Sequence, residues 1–227
     1  MFYTTTELYH KKDILEAIHH ASHPIAITGA GISTSSGLPT IESTWLGRSL
    51  EELFKLDQAH RHIIEYQQAY QAMMTTWLKA SPNPAHHLLA ERNVRIITQN
   101  IDGLHDRAGS YHLIELHGSL TRLRCHGCRS LVRVNKHSLN AMECPACGHM
   151  MWPDIVFEGE HVKQLVKAIQ WMTTSDLLFI IGTRLQMNPV SQLPLIAMQN
   201  HIPIIEINQE AEQTLQRYLS IKSNQLL

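Results

Sequence analysis

The 227-residue chain lacks a dominant charge: nineteen Lys and Arg stand against twenty Asp and Glu, for a formal net charge of -1. No bulk field therefore recruits nucleic acid or an anionic membrane surface. No apolar run approaches the roughly 20 residues that a bilayer-spanning helix needs. The opening MFYTTTELYHKK has neither a basic start nor an apolar signal segment, which predicts a cytoplasmic location. Internal repeats and low-complexity tracts are missing as well, so solenoid and fibrous classes fall away. Histidine is plentiful at sixteen, yet scattered, and only local context can promote one of them to chemistry.

A further absence lies in ITGAGISTSSGLPT (27–40), a glycine-rich turn after an apolar run. The dinucleotide fingerprint needs three glycines at fixed spacing, and after Gly29 and Gly31 the third position holds Thr34. A phosphate-binding turn remains plausible on its chemistry, because Gly29 and Gly31 let a backbone approach a pyrophosphate. The simple dehydrogenase reading is strained.

Cysteine is scarce too, and its four copies all fall in CHGCRSLVRVNKHSLNAMECPAC (125–147). Cys125 and Cys128 form one knuckle, fifteen residues follow, and Cys144 and Cys147 form the second. Two such knuckles brought together make a tetrahedral thiolate site for zinc; a pair of disulfides is the alternative. Four thiolates leave the metal no open position, so this zinc is expected to be structural and the chemistry to lie elsewhere.

The rest of the chain alternates short apolar runs with helical periodicity. PIAIT (24–28), VRIITQN (94–100), YHLIELHG (111–118), DLLFIIGT (176–183) and IPIIEIN (202–208) read as strands. Segments 8–21, 49–80, 83–93, 161–174 and 189–199 read as mainly helical. The predicted fold is α/β, a Rossmann-like doubly wound parallel sheet with a small inserted zinc-ribbon domain. Ligands of such sheets gather at the carboxyl ends of the strands. There the chain places TGAGIS, TQNIDGLHDRAG, ELHGS and GTRLQMNPV, with Asn208 ending the last run. Gln99, Asn100 and Asp102 suit a carboxamide and sugar hydroxyls, although each taken alone also reads as a strand-end cap.

Seven motifs in order carry a resemblance: GAGISTSSGLPT, TQNIDGLHDRAG, ELHGS, the four-cysteine module, PDIVFEGE (153–160), GTRLQMNPV and IEIN (205–208). Over roughly residues 15 to 210 the chain resembles the sirtuins, NAD-dependent protein deacylases, as a divergent bacterial-type member. The resemblance implies NAD as a consumed co-substrate, a structural zinc on Cys125, Cys128, Cys144 and Cys147, and an acyl-lysine protein or peptide as partner. It also implies a large Rossmann-like part (about 1–40, 83–120 and 150–227) and a small domain (about 41–82, helical, and 121–149, the zinc module). Gly29, Ala30, Gly31, Ile32, Ser33 and Thr34 would line the dinucleotide, and Gln99 would face its ribose. Gly182, Thr183 and Arg184 would hold the adenosine half, with Asn208 near the adenine ribose. Ile101 and Asp102 would hold the nicotinamide carboxamide, while Asn100 positions the ribose or a water.

The family mechanism asks for one base. His117, with Asn100 and Asp102 assisting, matches the histidine that activates a ribose hydroxyl after the acyl amide oxygen has displaced nicotinamide. An imidazole with an ordinary pKa near ~6.5 suits that task. Three departures accompany the match. After SGLP the family's Phe-Arg is replaced by Ile41-Glu42, reversing a charge; Phe-Gly-Glu becomes Glu158-Gly159-Glu160; and Arg184 replaces the serine after Gly-Thr. A protein mono-ADP-ribosyltransferase, or a non-catalytic NAD or ADP-ribose binding protein, therefore stand as alternatives. The stretch YQQAYQAMMTTW (66–77) offers Tyr66 and Tyr70 but no arginine, which points to a short or neutral acyl chain. Only QEAEQTLQRYLSIKSNQLL follows IEIN, so a shortened last element and an early end to the sheet are both open.

Overall fold

Isoleucine-rich runs that can be buried on both faces belong inside a parallel sheet covered by helices. That is where they lie in the computed structural model, which describes residues 2–4, 11–134 and 143–219. Along the chain come β1 (Phe2–Thr4), α1 (Lys11–His20), β2 (Pro24–Thr28) and a 3-10 turn over Ala30–Ser36. A short hairpin, β3 (Thr44–Trp45) and β4 (Arg48–Ser49), leads into α2 (Leu50–Leu53), α3 (Leu56–Arg61), α4 (Ile63–Trp77) and α5 (Pro84–Glu91). Then follow β5 (Arg95–Thr98), α6 (Leu104–Arg107), β6 (Leu113–Glu115), β7 (Gly118–Cys125), β8 (Leu131–Arg133) and β9 (Met151–Ile155). The chain continues through α7 (Leu165–Thr173), β10 (Leu177–Ile181), α8 (Leu193–Gln199), β11 (Ile204–Ile207) and α9 (Ala211–Leu219).

Six strands form one sheet in the order β1-β11-β10-β2-β5-β6, every pair parallel. From β2 the chain steps outward to β5 and β6, then crosses back to β10 on the other side of β2 and out to β11. The direction reverses between β2 and β10, and that junction opens the crevice where open sheets bind ligands. One face of the sheet is sealed by Ile14, Leu89, Leu215 and Leu219 of α1, α5 and α9. The other is sealed by Ala168 and Met172 of α7 and by Leu193 and Ala197 of α8.

A third core joins α2 to α4 with the ribbon β8-β7-β9, gathering Leu53, Tyr66, Tyr70, Met73, Trp77, Leu123, Cys125 and Met151. The long helix expected over 49–80 is broken into three. Lys55 is extended (φ -84, ψ 123) and bridges Glu158, whose N–H donates to the Phe54 carbonyl at 2.8 Å, so a tertiary pairing overrides local helix preference. The strand expected over 111–118 is also split: Leu113–Glu115 stays in the large sheet, while Gly118 opens the ribbon.

The end of the chain resolves toward a helix. Leu215 and Leu219 of α9 bury against the sheet, and the carbonyl of Leu219 accepts a bond from Arg92. The place beside β11 is taken by β1 from the other end of the chain, with Tyr3 opposite Ile205. Segments 8–10 and 220–222, included in the expected first and last elements, lie outside the described residues.

Candidate functional site

At the β2–β10 junction two loops touch backbone to backbone. The N–H of Gly29 donates to the Ile181 carbonyl (3.0 Å) and that of Gly31 to the Gly182 carbonyl (2.9 Å). A Cβ on Gly31 would lie 2.6 Å from Gly182 Cα, and one on Gly182, which has φ +62, would lie 2.3 Å from Ile32 N. The glycines are therefore required first by the fit of one loop on the other.

Under this contact lies a connected polar network. Ser33 Oγ donates to Asp102 Oδ2 (2.7 Å), and Asn100 Nδ2 donates to the Gly29 carbonyl and to Ser33 Oγ (both 3.2 Å). Asp102, 5 % exposed, accepts on its other oxygen from Leu104 N (2.8 Å). Burial pushes its carboxyl pKa up, and those hydrogen bonds pull it back. Both its oxygens are satisfied inside the protein. Ile32, expected beside the dinucleotide, turns its side chain into the sheet core, while Ala30 is half-buried and Thr34 exposed, its hydroxyl donating to the Gly31 carbonyl (3.0 Å).

Toward β11 the chain of contacts continues. Gln99 Nε2 donates to Thr183 Oγ1 (2.9 Å), and Thr183 N donates to Asn208 Oδ1 (3.1 Å). Gln99, Thr183 and Asn208, drawn from three strand ends, are thus one unit. Ile101 is buried in the third core.

His117 stands in the turn between β6 and β7. Its Nδ1 lies 3.0 Å from the Gln99 carbonyl, which can only accept, so the ring proton sits on Nδ1 and Nε2 keeps its lone pair. Burial holds the pKa of this imidazole below the ordinary value, against an opposing pull from the Gln99 carbonyl. The ring is neutral at physiological pH, as a base must be.

Arg184 and Glu42 are exposed, and they feel each other. The Glu42 carboxyl is held below its ordinary pKa by a backbone hydrogen bond, by Thr40 and, to a smaller extent, by the Arg184 charge. Glu158 sits elsewhere, paired along the chain with Lys55. Tyr66 and Tyr70 spend their hydroxyls on the carbonyls of Glu52 and Leu53. An arginine does reach this region from the hairpin: Arg48 pairs with Glu65 and lies 5.8 Å from the Tyr66 ring centre, so it too is occupied.

The residues that sequence reasoning missed are those that hold the loop from behind. Asn83 caps α5 by accepting from Ala85 N (3.0 Å), and its Nδ2 donates to the Ile32 carbonyl (2.7 Å) and Ser36 Oγ (3.1 Å). His86, buried, brings Nε2 to 3.5 Å from Ser33 Oγ and packs against His105 with ring centres 4.8 Å apart and the rings tilted by 58°. His105 in turn bonds Thr28 Oγ1 at 3.0 Å. The signal was present in PNPAH, an Asn-Pro helix start.

The four cysteines converge well away from these loops, on the ribbon. All four thiols are free and lie within 4.8 Å of one another, with Cys125–Cys147 at 3.5 Å and Cys128–Cys144 at 3.6 Å. Thiolates around zinc at 2.3 Å stand about 3.8 Å apart, so the cluster fits that ion and not a disulfide pair. Backbone N–H groups of Gly127 and Cys128 point at Cys125 Sγ (3.3 and 3.4 Å), the kind of support a bound thiolate receives.

The Sir2 family model matches residues 29–189, from the first loop glycine through the ribbon to the loop after β10. The chain belongs to the Sir2 family. It is 35% identical over 211 residues to NAD-dependent protein deacylase 1 of Caldanaerobacter subterraneus, covering 88% of this chain and 87% of that one. It is 37% identical over 196 residues to an NAD-dependent protein deacetylase of Chromobacterium violaceum, covering 80% of each. Among solved structures, a Sir2 homologue–NAD complex superposes with a TM-score of 0.83 at 28% identity, over 93% of both chains. A Sir2–p53 peptide–NAD+ complex superposes at 0.79 with 28% identity, over 93% of this chain and 98% of that one. In this Sir2 chain no described helix is long and apolar enough to cross a membrane.

Proposed function

We propose that this Sir2 chain is an NAD-dependent protein-lysine deacylase that yields nicotinamide, the free lysine and an O-acyl-ADP-ribose. The observation that carries the reading is His117: a half-buried neutral imidazole whose Nδ1–H is pinned to the Gln99 carbonyl, leaving Nε2 as proton acceptor at the carboxyl edge of the sheet. Gln99 also belongs to the Thr183–Asn208 unit, so the base and the candidate ribose contacts share one residue.

When bound, NAD supplies an electrophilic sugar carbon with nicotinamide as its leaving group. The protein's part is to place, shield and deprotonate. The loop Gly29–Thr34 with Gly182, Thr183 and Arg184 would cradle the dinucleotide, Asn208 the adenosine end, and Asn100, Ile101 and Asp102 the nicotinamide end. His117 Nε2 would take a proton from a ribose hydroxyl. The network through Ser33 fixes Asn100 and Asp102 in advance, so little reorganisation is left for the reaction itself. In this reading the large part comprises about 1–40, 83–120 and 150–227, and the small part about 41–82 and 121–149, whose zinc on Cys125, Cys128, Cys144 and Cys147 is structural. With Tyr66 and Tyr70 satisfied by backbone carbonyls and Arg48 paired to Glu65, a short neutral acyl group on a cytoplasmic protein is the expected substrate.

The test is nicotinamide release from NAD with and without an acetyl-lysine peptide. Release that requires the peptide supports the reading. Release at the same rate without it, or no release in either case, contradicts it.

A further inference from the structure

The turn that carries His117 is gripped from two sides. From β5, the Thr98 carbonyl accepts from Leu116 N (2.9 Å) and the Gln99 carbonyl holds the imidazole (3.0 Å). From the ribbon side, Val156 N donates to the His117 carbonyl (2.9 Å) and Lys163 N to the Leu116 carbonyl (2.8 Å). Gly118, the next residue, adopts φ +76 and lies so close that an added Cβ would stand 1.9 Å from the Asp154 carbonyl and 2.9 Å from Lys163 Nζ. The Lys163 ammonium holds that same Asp154 carbonyl (2.9 Å) and Asp154 Oδ1 (2.6 Å). Asp154 is 5 % exposed and also accepts from Arg124 Nε (2.8 Å) and Arg122 Nε (3.4 Å), while Arg122 reaches back to Glu115 (2.6 Å), two residues before the base. One half-buried ionic cluster around the buried Asp154 thus ties the strand before the base, two ribbon strands after it, and a lysine from beyond the ribbon.

Three of these contacts converge in Lys163. Its main chain and its ammonium both bear on the two sides of His117, and neither touches the polar network of the dinucleotide loop. We propose that Lys163 is a positioning residue for His117, its ammonium fixing the Asp154 carbonyl against Gly118 and so setting the height of the imidazole over the crevice. The inference rests on His117 being the base. Removing the ammonium while keeping the stem frees the Asp154 carbonyl and lets the turn shift, and general-base transfer is sensitive to shifts of well under an ångström. The cofactor loop, held from behind by Asn83 and His86, should be untouched.

The experiment compares wild type, Lys163→Met and Lys163→Arg on NAD and an acetyl-lysine peptide, well below the thermal midpoint of each protein. Lys163→Met should lower kcat about 10-fold with KM for NAD within about threefold, and Lys163→Arg, which restores the cation, should recover most of the loss. Lys163→Gln, neutral and one bond shorter so that it does not restore the ammonium's hold on the Asp154 carbonyl, serves in the same comparison if the methionine variant does not fold. A methionine or glutamine variant with wild-type kcat overturns the proposal, as does a loss that appears in KM for NAD alone or one that arginine does not relieve. Absence of NAD-dependent turnover in the wild type would instead overturn the parent reading, so the two failures are distinct.

Discussion

Acid should weaken this protein through a histidine that never meets the substrate. His86 is fully buried between the cofactor loop and α6, and desolvation, aided by repulsion from His87, pulls its pKa from 6.5 to about 4. His105, packed against it, is likewise held well below its ordinary value by burial. The sign follows from which state binds protons first. A histidine depressed in the native state takes up its proton in the unfolded chain, so its contribution is complete above the unfolded value and is lost as pH falls through the window from 6.5 toward 4. With those two values, lowering pH from about 7.5 to about 5.5 removes about 1.3 kcal/mol through His86 alone. His105 acts in the same direction. Urea unfolding at the two pH values, on wild type and His86→Gln, measures the difference. The variant is expected to lose about 1.3 kcal/mol less stability than wild type over that interval, whatever its starting stability. Equal losses in the two proteins would show that His86 is not held neutral, and the buried-pair argument would fall.

Other consequences concern the metal, the base and the rim. Freshly purified, reduced protein should contain one zinc per chain, and Cys144→Ala or chelation should unfold the ribbon core before the sheet; metal analysis that finds none contradicts this. His117→Ala should keep NAD affinity within several-fold while turnover falls roughly 10²- to 10⁴-fold, and an active variant would remove the base from the account. Arg184→Ser should weaken binding of the preferred dinucleotide about 10- to 100-fold if the guanidinium contacts a phosphate oxygen. Titration with NAD, NADP and ADP-ribose checks it, and unchanged affinities for all three would leave Arg184 as a partner of Glu42 only.

The central strands were legible because parallel strands sealed on both faces must be nearly continuous apolar runs, as PIAIT and LLFII are. The cysteine cluster was legible because two Cys-x-x-Cys knuckles fifteen residues apart suit a tetrahedral thiolate site, and the four thiols do converge. Less visible were elements decided by distant partners. Phe2–Thr4 is too short to carry a period, and only its pairing with β11 makes it a strand. The helical pattern over 49–80 could not reveal that Lys55 would leave it to bridge Glu158. At the site, the amides, carboxylate and imidazole at the strand ends were visible in the sequence, and the fold brings them together. What sequence could not show is that Gly31 faces Gly182, that both oxygens of Asp102 are already taken, or that Asp154 and Lys163 buttress the base, because each depends on chain segments dozens of residues apart.

The central claim, that NAD is consumed to remove an acyl group from lysine, is tested most directly by weighing the products. Incubating the protein with NAD and an acetyl-lysine peptide, then recording every product by mass spectrometry, should give deacetylated peptide, nicotinamide and O-acetyl-ADP-ribose in equal amounts. ADP-ribose attached to protein with the acetyl group still on the peptide would contradict it, and so would free acetate released with NAD intact.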